Sequence, residues 1–202
     1  IHGKLVENDL TLQAVDVEEA KEDVPFDIPN NWKWSKLENL GVITSSKRVF
    51  QNDWKNEGVP FYRARDIVSL NKGLSVSDLY ISEEMYKEYS QKYGVPKKGD
   101  ILLTGVGTIG ESYVVKENDK FYFKDGNIIW LKKSCNVNSM YLKKYFESNF
   151  FKSQVYQSAK GATVLTLTIE HAKEILIPIP PLEQQKKIVE KIEECFKLIE
   201  QL

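Results

Sequence analysis

Apolar and polar positions alternate along much of the chain, and the period of that alternation predicts the elements. Trp32 and Trp34 flank Lys33, as on a strand with one buried face, and Pro29 biases Ile28 toward an extended entry. Over 59–68 (VPFYRARDIV), Phe61, Arg63, Arg65 and Ile67 alternate with Tyr62, Ala64 and Asp66, which predicts another strand. Residues 100–104, 111–116, 127–132 and 174–179 read as further strands, the last ended by Pro180 and Pro181. Helical spacing takes over at three places. Ser82 is placed to cap a short helix with Glu83 and Glu84 in its first turn, where the helix dipole favours acids. Asn138 caps a longer helix running to about Ser158, with Leu142, Phe146 and Phe150 four apart. Thr168 caps a short helical turn.

From Pro181 the pattern changes again. Pro181 suits the first position of a helix. Ile188, Ile192, Cys195, Ile199 and Leu202 follow a three–four spacing, widened by Val189 and Phe196, opposite a face of Lys186, Lys187, Glu190, Lys191, Glu194 and Lys197. This is an amphipathic helix of coiled-coil type. The stripe of Ile188, Ile192, Phe196 and Ile199 serves equally to fold back on its own domain or to meet a partner helix. The expected fold class is α+β: a mixed α/β domain over 28–178, then a long amphipathic helix over 179–202. Residues 7–27 are acidic and lack sustained periodicity, so they read as a linker or a loose helix.

Charge sharpens this division. Residues 1–40 carry 4 basic and 9 acidic side chains, residues 41–178 carry 20 and 15, and residues 179–202 carry 4 and 5. An anionic partner is therefore expected at the middle stretch. No apolar run reaches the length of a membrane span, so no membrane role is expected. The 2 cysteines, Cys135 and Cys195, lie far apart, as free thiols do in a reducing cytoplasm. With only 2 histidines, a histidine-based zinc site lacks ligands, and no metal is expected.

Several small patches suit nucleic acid. Arg63 and Arg65, on one face of the expected strand, offer two forked guanidiniums able to read guanine edges or clamp phosphates; ion pairs with Asp66 or Asp78 are the plainer use. Lys47 and Arg48 lie in a polar stretch with Ser45, Ser46 and Gln51. Lys160, Thr163 and Thr166 form another small basic patch. Gly105, Gly107 and Gly110 match the G-x-G-x-x-G pattern, but a dinucleotide turn needs a helix next and a strand follows. The glycines read instead as a hairpin or bulge, or as a loop whose backbone approaches a phosphate. Lys72, Thr104, Thr108 and Lys124 complete the candidate DNA-contacting set.

No catalytic residues are expected. Nucleophile-elbow, zinc-protease and phosphate-loop motifs are absent. Asp16, Glu19 and Lys21 read as a solvated charge run. His171 reads as a helix-surface or packed residue rather than a general base. Residues 179–182 (IPPL) lack the polar and aromatic residues of an amino-methyltransferase motif.

These segments, in this order, resemble the specificity subunits of type I restriction–modification systems. Residues 100–110 (DILLTGVGTIG) resemble the family's glycine-containing segment. The stretches 160–163 (KGAT), 167–170 (LTIE) and 175–193 (ILIPIPPLEQQKKIVEKIE) are similar to its junction between target-recognition domain and conserved helix, and 177–192 is the most specific part. Residues 28–37 (IPNNWKWSKL) look like the entry to a recognition domain, and 62–67 (YRARDI) fit one of its early strands. Residues 1–6 (IHGKLV) resemble the end of a central conserved helix, and the chain opens on Ile rather than Met. It is thus expected to be the second half of a longer subunit, with a half-length subunit as the other possibility: residues 1–27 the linker, 28–178 the target-recognition domain, 179–202 the conserved spacer helix.

The resemblance implies a non-catalytic subunit that reads one half of a split site in double-stranded DNA. It also implies docking of modification (methyltransferase) subunits and a restriction subunit, with S-adenosylmethionine, ATP and magnesium held only by those partners. With a single conserved helix here, two-part recognition needs a second copy or the missing half, and in the isolated chain a homodimer through the C-terminal helix is expected. Two other readings stay open: the recognition end of a fused DNA methyltransferase–endonuclease, and a helix-mediated protein-interaction domain.

Overall fold

The computed structural model describes residues 5–20, 24–76, 78–158 and 165–201, with the side chain of Ser158 left aside. In chain order the described elements are β1 (Lys33–Lys36), β2 (Gly41–Thr44), β3 (Val59–Tyr62), α1 (Ala64–Asn71), β4 (Tyr80–Ile81), α2 (Glu83–Tyr93), β5 (Ile101–Thr104), β6 (Ser112–Val114), β7 (Tyr122–Phe123), β8 (Ile128–Lys133), α3 (Ser139–Phe146), α4 (Asn149–Ser158), α5 (Ile169–Glu174), β9 (Leu176–Ile179) and α6 (Leu182–Ile199). The fold is the expected mixture of helix and sheet ending in a long helix.

An antiparallel sheet in the order β2-β8-β5-β6 forms the centre. Both of its faces are covered. Side chains alternate along a strand, so Ile101 and Leu103 of β5 and Ile129 and Leu131 of β8 join the main core under the helices. Leu102, Ile128 and Trp130 point the other way, into a second cluster with Ile67 of α1 and with Phe121 and Phe123. A small sheet, β4-β3-β7, carries a third cluster with Val49, Phe61 and Tyr122. Asp100 locks the central strands together. Its buried carboxylate accepts the Trp130 indole N–H at 2.9 Å, the Lys97 amide at 2.9 Å and the Lys133 amide at 3.2 Å.

The predicted caps form. Ser82 Oγ accepts the Met85 amide at 3.2 Å, Asn138 Oδ1 the amides of Met140 and Tyr141 at 2.8 and 3.2 Å, and Thr168 Oγ1 that of His171 at 3.2 Å. Other expectations need correction. The strand read over 59–68 stops at Tyr62, because Asp66 folds back to accept the Arg63 amide at 2.9 Å and opens α1. Arg63 and Arg65 therefore do not share a strand face. The helix read from Asn138 to Ser158 is two helices, α3 and α4. Ser148 Oγ accepts the Phe151 amide at 3.2 Å and restarts the second. Pro181 is the N-cap residue of α6 rather than its first helical one.

The described part of the acidic segment is neither helix nor free linker. Val15 and Val17 are buried in the main core, the Ser35 hydroxyl donates to the Glu18 carbonyl at 2.6 Å, and the Ala20 amide donates to the Trp34 carbonyl at 2.9 Å. β1 pairs antiparallel with β9, from Lys33 opposite Ile179 to Lys36 opposite Leu176. That pairing brings the entry to the fold beside the root of α6. Phe26, Trp34 and Phe150 stack edge-to-face there, with centroids 4.8 to 5.8 Å apart.

Candidate nucleic-acid interface

In an antiparallel sheet, the end of one strand and the start of its neighbour lie at the same edge. Thr44 at the end of β2 pairs with Trp130 of β8, and Thr104 at the end of β5 pairs with Ile128 at the start of β8. The segments after β2, before β8 and after β5 thus leave the sheet together. β3 and β7 run parallel and end at Tyr62 and Phe123, so Arg63 and Lys124 leave side by side.

Hydrogen bonds tie these segments into one surface. Ser45 Oγ donates to the Ile128 carbonyl at 2.7 Å and accepts the Gly126 amide at 3.3 Å. The Ser46 hydroxyl donates to the Phe123 carbonyl at 2.6 Å, and the Lys124 amide to the Tyr62 carbonyl at 2.8 Å. The Gly105 amide donates to the Asn127 carbonyl at 3.0 Å, while the Leu167 amide donates to the Gly105 carbonyl at 2.8 Å and Val106 bridges Thr166. Asn71 donates to the Glu111 carboxylate at 2.5 Å, setting the end of α1, and with it Lys72, beside the glycine turn. Gly105 is needed for close approach: a Cβ there would lie 2.7 Å from the Leu167 carbonyl oxygen. The Lys47 amide donates to the buried phenol of Tyr122 at 3.0 Å, and burial pushes that phenol up to about 12.

This edge gathers most of the candidate residues. Lys47, Arg48, Arg65, Lys72 and Thr108 are exposed, and Lys124 and Thr166 are half-buried. Arg48 meets Asp125 through Nε at 2.9 Å with its side chain 64% exposed, so the pair is a weak surface bridge that an incoming phosphate can compete for. Arg63 is turned inward toward Asp66, Nε to Oδ2 3.5 Å. Thr104 does not belong to the surface. It is fully buried, and its hydroxyl donates to the Thr108 carbonyl and closes the glycine turn from inside. Lys160 and Thr163 lie outside the described residues. Phe50 and Asn52, passed over in the sequence, are exposed on the turn after Arg48; the sequence carries no signal for Phe50, because Val49 and Phe50 are both apolar and only the structure separates buried from exposed.

A second surface lies on α6. Two buried glutamines root the helix: Gln184 Nε2 donates to the Glu7 carbonyl at 2.9 Å, and Gln185 accepts the Asn138 amide at 2.7 Å while donating to the Pro180 carbonyl at 2.8 Å. Ile188 is buried and Ile192 partly buried against the main core, whereas Phe196, Leu198 and Ile199 are 53%, 58% and 63% exposed. The stripe thus divides, its first half folded back and its second half open. Between α6, α3 and Phe26 runs an apolar cleft of about 520 Å³, walled by Trp32, Tyr145, Phe150, Ile192 and Phe196. Among the described residues, no group of three or more His, Cys, Asp or Glu is arranged to hold a metal ion, and no helix is long and apolar enough to cross a membrane.

Residues 29–202 match the family described as the type I restriction modification DNA specificity domain. A putative type I restriction enzyme specificity subunit of Haemophilus influenzae is 37% identical over 155 residues, which cover 76% of this chain and 37% of that protein. The type I restriction enzyme EcoBI specificity subunit of Escherichia coli is 27% identical over 176 residues, covering 84% of this chain and 36% of the relative. The chain therefore spans well under half the length of these relatives. Among solved structures, the HsdS subunit from Thermoanaerobacter tengcongensis superposes with a TM-score of 0.58 at 18% identity, over 87% of this chain and 40% of that one. A chain from a structure of the type I R-M system superposes with a TM-score of 0.62, also at 18% identity, over 87% of this chain and 40% of that one.

Proposed function

Because the chain belongs to the family of type I restriction–modification DNA specificity domains, we propose that it reads one half of a bipartite site in double-stranded DNA. It does so as a non-catalytic part of a larger complex in the cytoplasm. The observation that carries this reading is the edge on which Lys47, Arg48, Arg65, Lys72, Thr108, Lys124 and Thr166 come together on a hydrogen-bonded frame. Exposed cations on a fixed scaffold suit phosphates, and the interleaved hydroxyls suit sugar, phosphate or base edges. Residues 28–178 act as the target-recognition domain, residues 1–27 as its approach, and 179–202 as the spacer helix.

Methyl transfer and DNA cleavage belong to modification and restriction subunits. Those partners bind S-adenosylmethionine, ATP and magnesium, and this chain itself takes no cofactor. The helix α6 and the apolar cleft beside it supply the docking side. In the absence of a second recognition half, the open end of α6 pairs with another copy of the chain.

The direct test is duplex binding by the chain across a salt series. Each phosphate contact releases counterions, so log affinity falls linearly with log salt, with a slope of about −0.9 per contact. Arg65→Ala lowers affinity for the preferred sequence by about 1–3 kcal/mol if it reads a base. Binding to no duplex at low salt, or binding indifferent to salt, refutes the proposal. Stoichiometric binding of S-adenosylmethionine in calorimetry would instead favour the recognition end of a fused enzyme.

A further inference from the structure

The turn that follows Lys47 and Arg48 has a construction that phosphate binding does not require. Arg48 is exposed, Val49 is 2% exposed and Phe50 is 63% exposed, so an extended stretch sends Arg48 and Phe50 outward while Val49 anchors it in the cluster of Phe61, Ile81 and Tyr122. A 3-10 turn, Gln51–Asp53, comes next, with Gln51 and Asn52 exposed at its apex.

The turn is closed and held at both legs. Asp53 Oδ2 accepts the Phe50 amide at 3.3 Å, the Asp53 amide donates to the Phe50 carbonyl at 3.0 Å, and the Trp54 amide to the Gln51 carbonyl at 3.1 Å. On the incoming leg the Tyr122 phenol takes the Lys47 amide and the Tyr89 hydroxyl donates to the Arg48 carbonyl at 3.3 Å. On the outgoing leg Lys55 exchanges two backbone hydrogen bonds with Tyr80, at 2.9 and 3.1 Å. A large aromatic ring and two primary amides are thus presented on a rigid support next to two cations. Such a support loses little freedom on binding.

We infer that the turn from Arg48 to Asn52 is a base-reading finger that enters a groove of the duplex, with Gln51 and Asn52 reading base edges and Phe50 making the apolar contact. The inference rests on the DNA-reading function proposed above and names the part of the surface that carries sequence. Amide side chains match the N6 and N7 pattern of adenine in the major groove, and an aromatic ring there meets a thymine methyl group. Lys47 and Arg48 at the base of the finger are positioned for the flanking phosphates. A protein subunit could also bury Phe50, but the two exposed amides and flanking cations favour nucleic acid.

The experiment is selection from a library of random-sequence duplexes by the wild-type chain, by Phe50→Ala, by Gln51→Ala with Asn52→Ala, and by Lys47→Ala. Thermal unfolding of each variant first establishes that it folds like the wild type. The double variant is expected to lose base preference at one or two positions. Its affinity for the wild-type selected sequence should drop about 5- to 150-fold, while its affinity for random duplex changes little. Phe50→Ala is expected to relax an adjacent position. Lys47→Ala is expected to keep the sequence preference and weaken binding to all duplexes alike. If the double variant selects the wild-type sequence, or loses selected and random duplex equally, the finger does not read bases and the inference falls while DNA binding stands. If the wild type binds duplex but selects no sequence, base reading by this chain falls. If it binds none, the proposed function falls with it.

Discussion

The edge that gathers the candidate DNA contacts and the helix α6 are built by opposite means. At the edge, Ser45, Ser46, Gly105, Lys124 and Leu167 are joined by hydrogen bonds to residues far away in sequence, 83 positions apart for Ser45 and Ile128 and 77 for Ser46 and Phe123. Most of the candidate side chains, Lys47, Arg48, Arg65, Lys72 and Thr108 among them, hang from this frame into solvent. In the first half of α6 the case is reversed. Ile188, Gln184 and Gln185 are buried and join the helix to the body of the fold. The edge separates buried frame from exposed surface residue by residue, whereas α6 separates them along its length.

The sharpest way to break this comparison is at Ile188. It is 2% exposed in the main core, and truncation of such a residue costs about 2–5 kcal/mol. Ile188→Ala should lower unfolding stability by that amount in denaturant titration, while Ile199→Ala, eleven residues on and 63% exposed, should stay within about 0.5 kcal/mol of wild type. Equal losses at the two positions would mean that the open end of the helix is packed after all.

Next in size is Gly105→Ala. The added methyl would sit 2.7 Å from the Leu167 carbonyl oxygen, so one of the two segments must move, at a cost of about 1–3 kcal/mol. The same shift pulls Thr166 from Val106, so duplex affinity should fall along with stability. An alanine variant with unchanged melting temperature and unchanged binding would show that the bridge between the glycine turn and residues 165–167 is dispensable.

What could be read in the sequence follows the same divide. The caps at Ser82, Asn138 and Thr168 and the stripe of α6 depend on neighbours within a few residues, and they were legible. The stretch 177–192 carried the family resemblance, but the roles of Gln184 and Gln185 within it follow from partners far away in sequence: buried, they bond to the Glu7 carbonyl and the Asn138 amide. Two local patterns misled. The alternation over 59–68 continues past Tyr62 on paper, but the Asp66 cap ends the strand. The four-residue spacing of Leu142, Phe146 and Phe150 crosses the break at Ser148, because both helices bury residues in the same core. The gathering of Lys47, Thr108, Lys124 and Thr166 was not legible at all, since it follows from sheet topology rather than from spacing. Composition likewise nominated Thr104, whose hydroxyl is spent inside the turn.

A smaller effect on stability, and a distinct one on binding, is expected from two cations of the edge, the exposed Lys47 and the half-buried Lys124. Lys47→Ala and Lys124→Ala should each leave unfolding within about 0.5 kcal/mol of wild type. If each meets a phosphate, each should also reduce the slope of log affinity against log salt by about 0.9. The double variant should reduce it by the sum, because phosphate contacts act separately. A fall in stability without a change in slope would make these lysines part of the frame.

The smallest effect on the fold itself belongs to the open end of α6. Phe196, Leu198 and Ile199 are more than half exposed, and the Lys144 ammonium lies over the Phe196 ring, 5.5 Å from its centroid. Changing Phe196 and Ile199 to Asp should therefore alter monomer unfolding by about 0.5 kcal/mol or less. Association is where the substitutions tell. Burying an aromatic or branched side chain of this size is worth roughly 1.5–3 kcal/mol, and a two-fold contact counts each residue twice. The patch is short, and association also costs translational and rotational freedom, so the pairing should be weak and visible as a concentration-dependent mass in light scattering. The cleft walled by Trp32, Tyr145 and Phe150 lies alongside and offers the incoming helix an apolar bed. In the wild type, mass should rise toward twice that of one chain with increasing concentration, and Phe196→Asp with Ile199→Asp should hold it at one chain. A wild type that stays monomeric at every accessible concentration rules the homodimer out and reserves this face for the subunits of the larger complex.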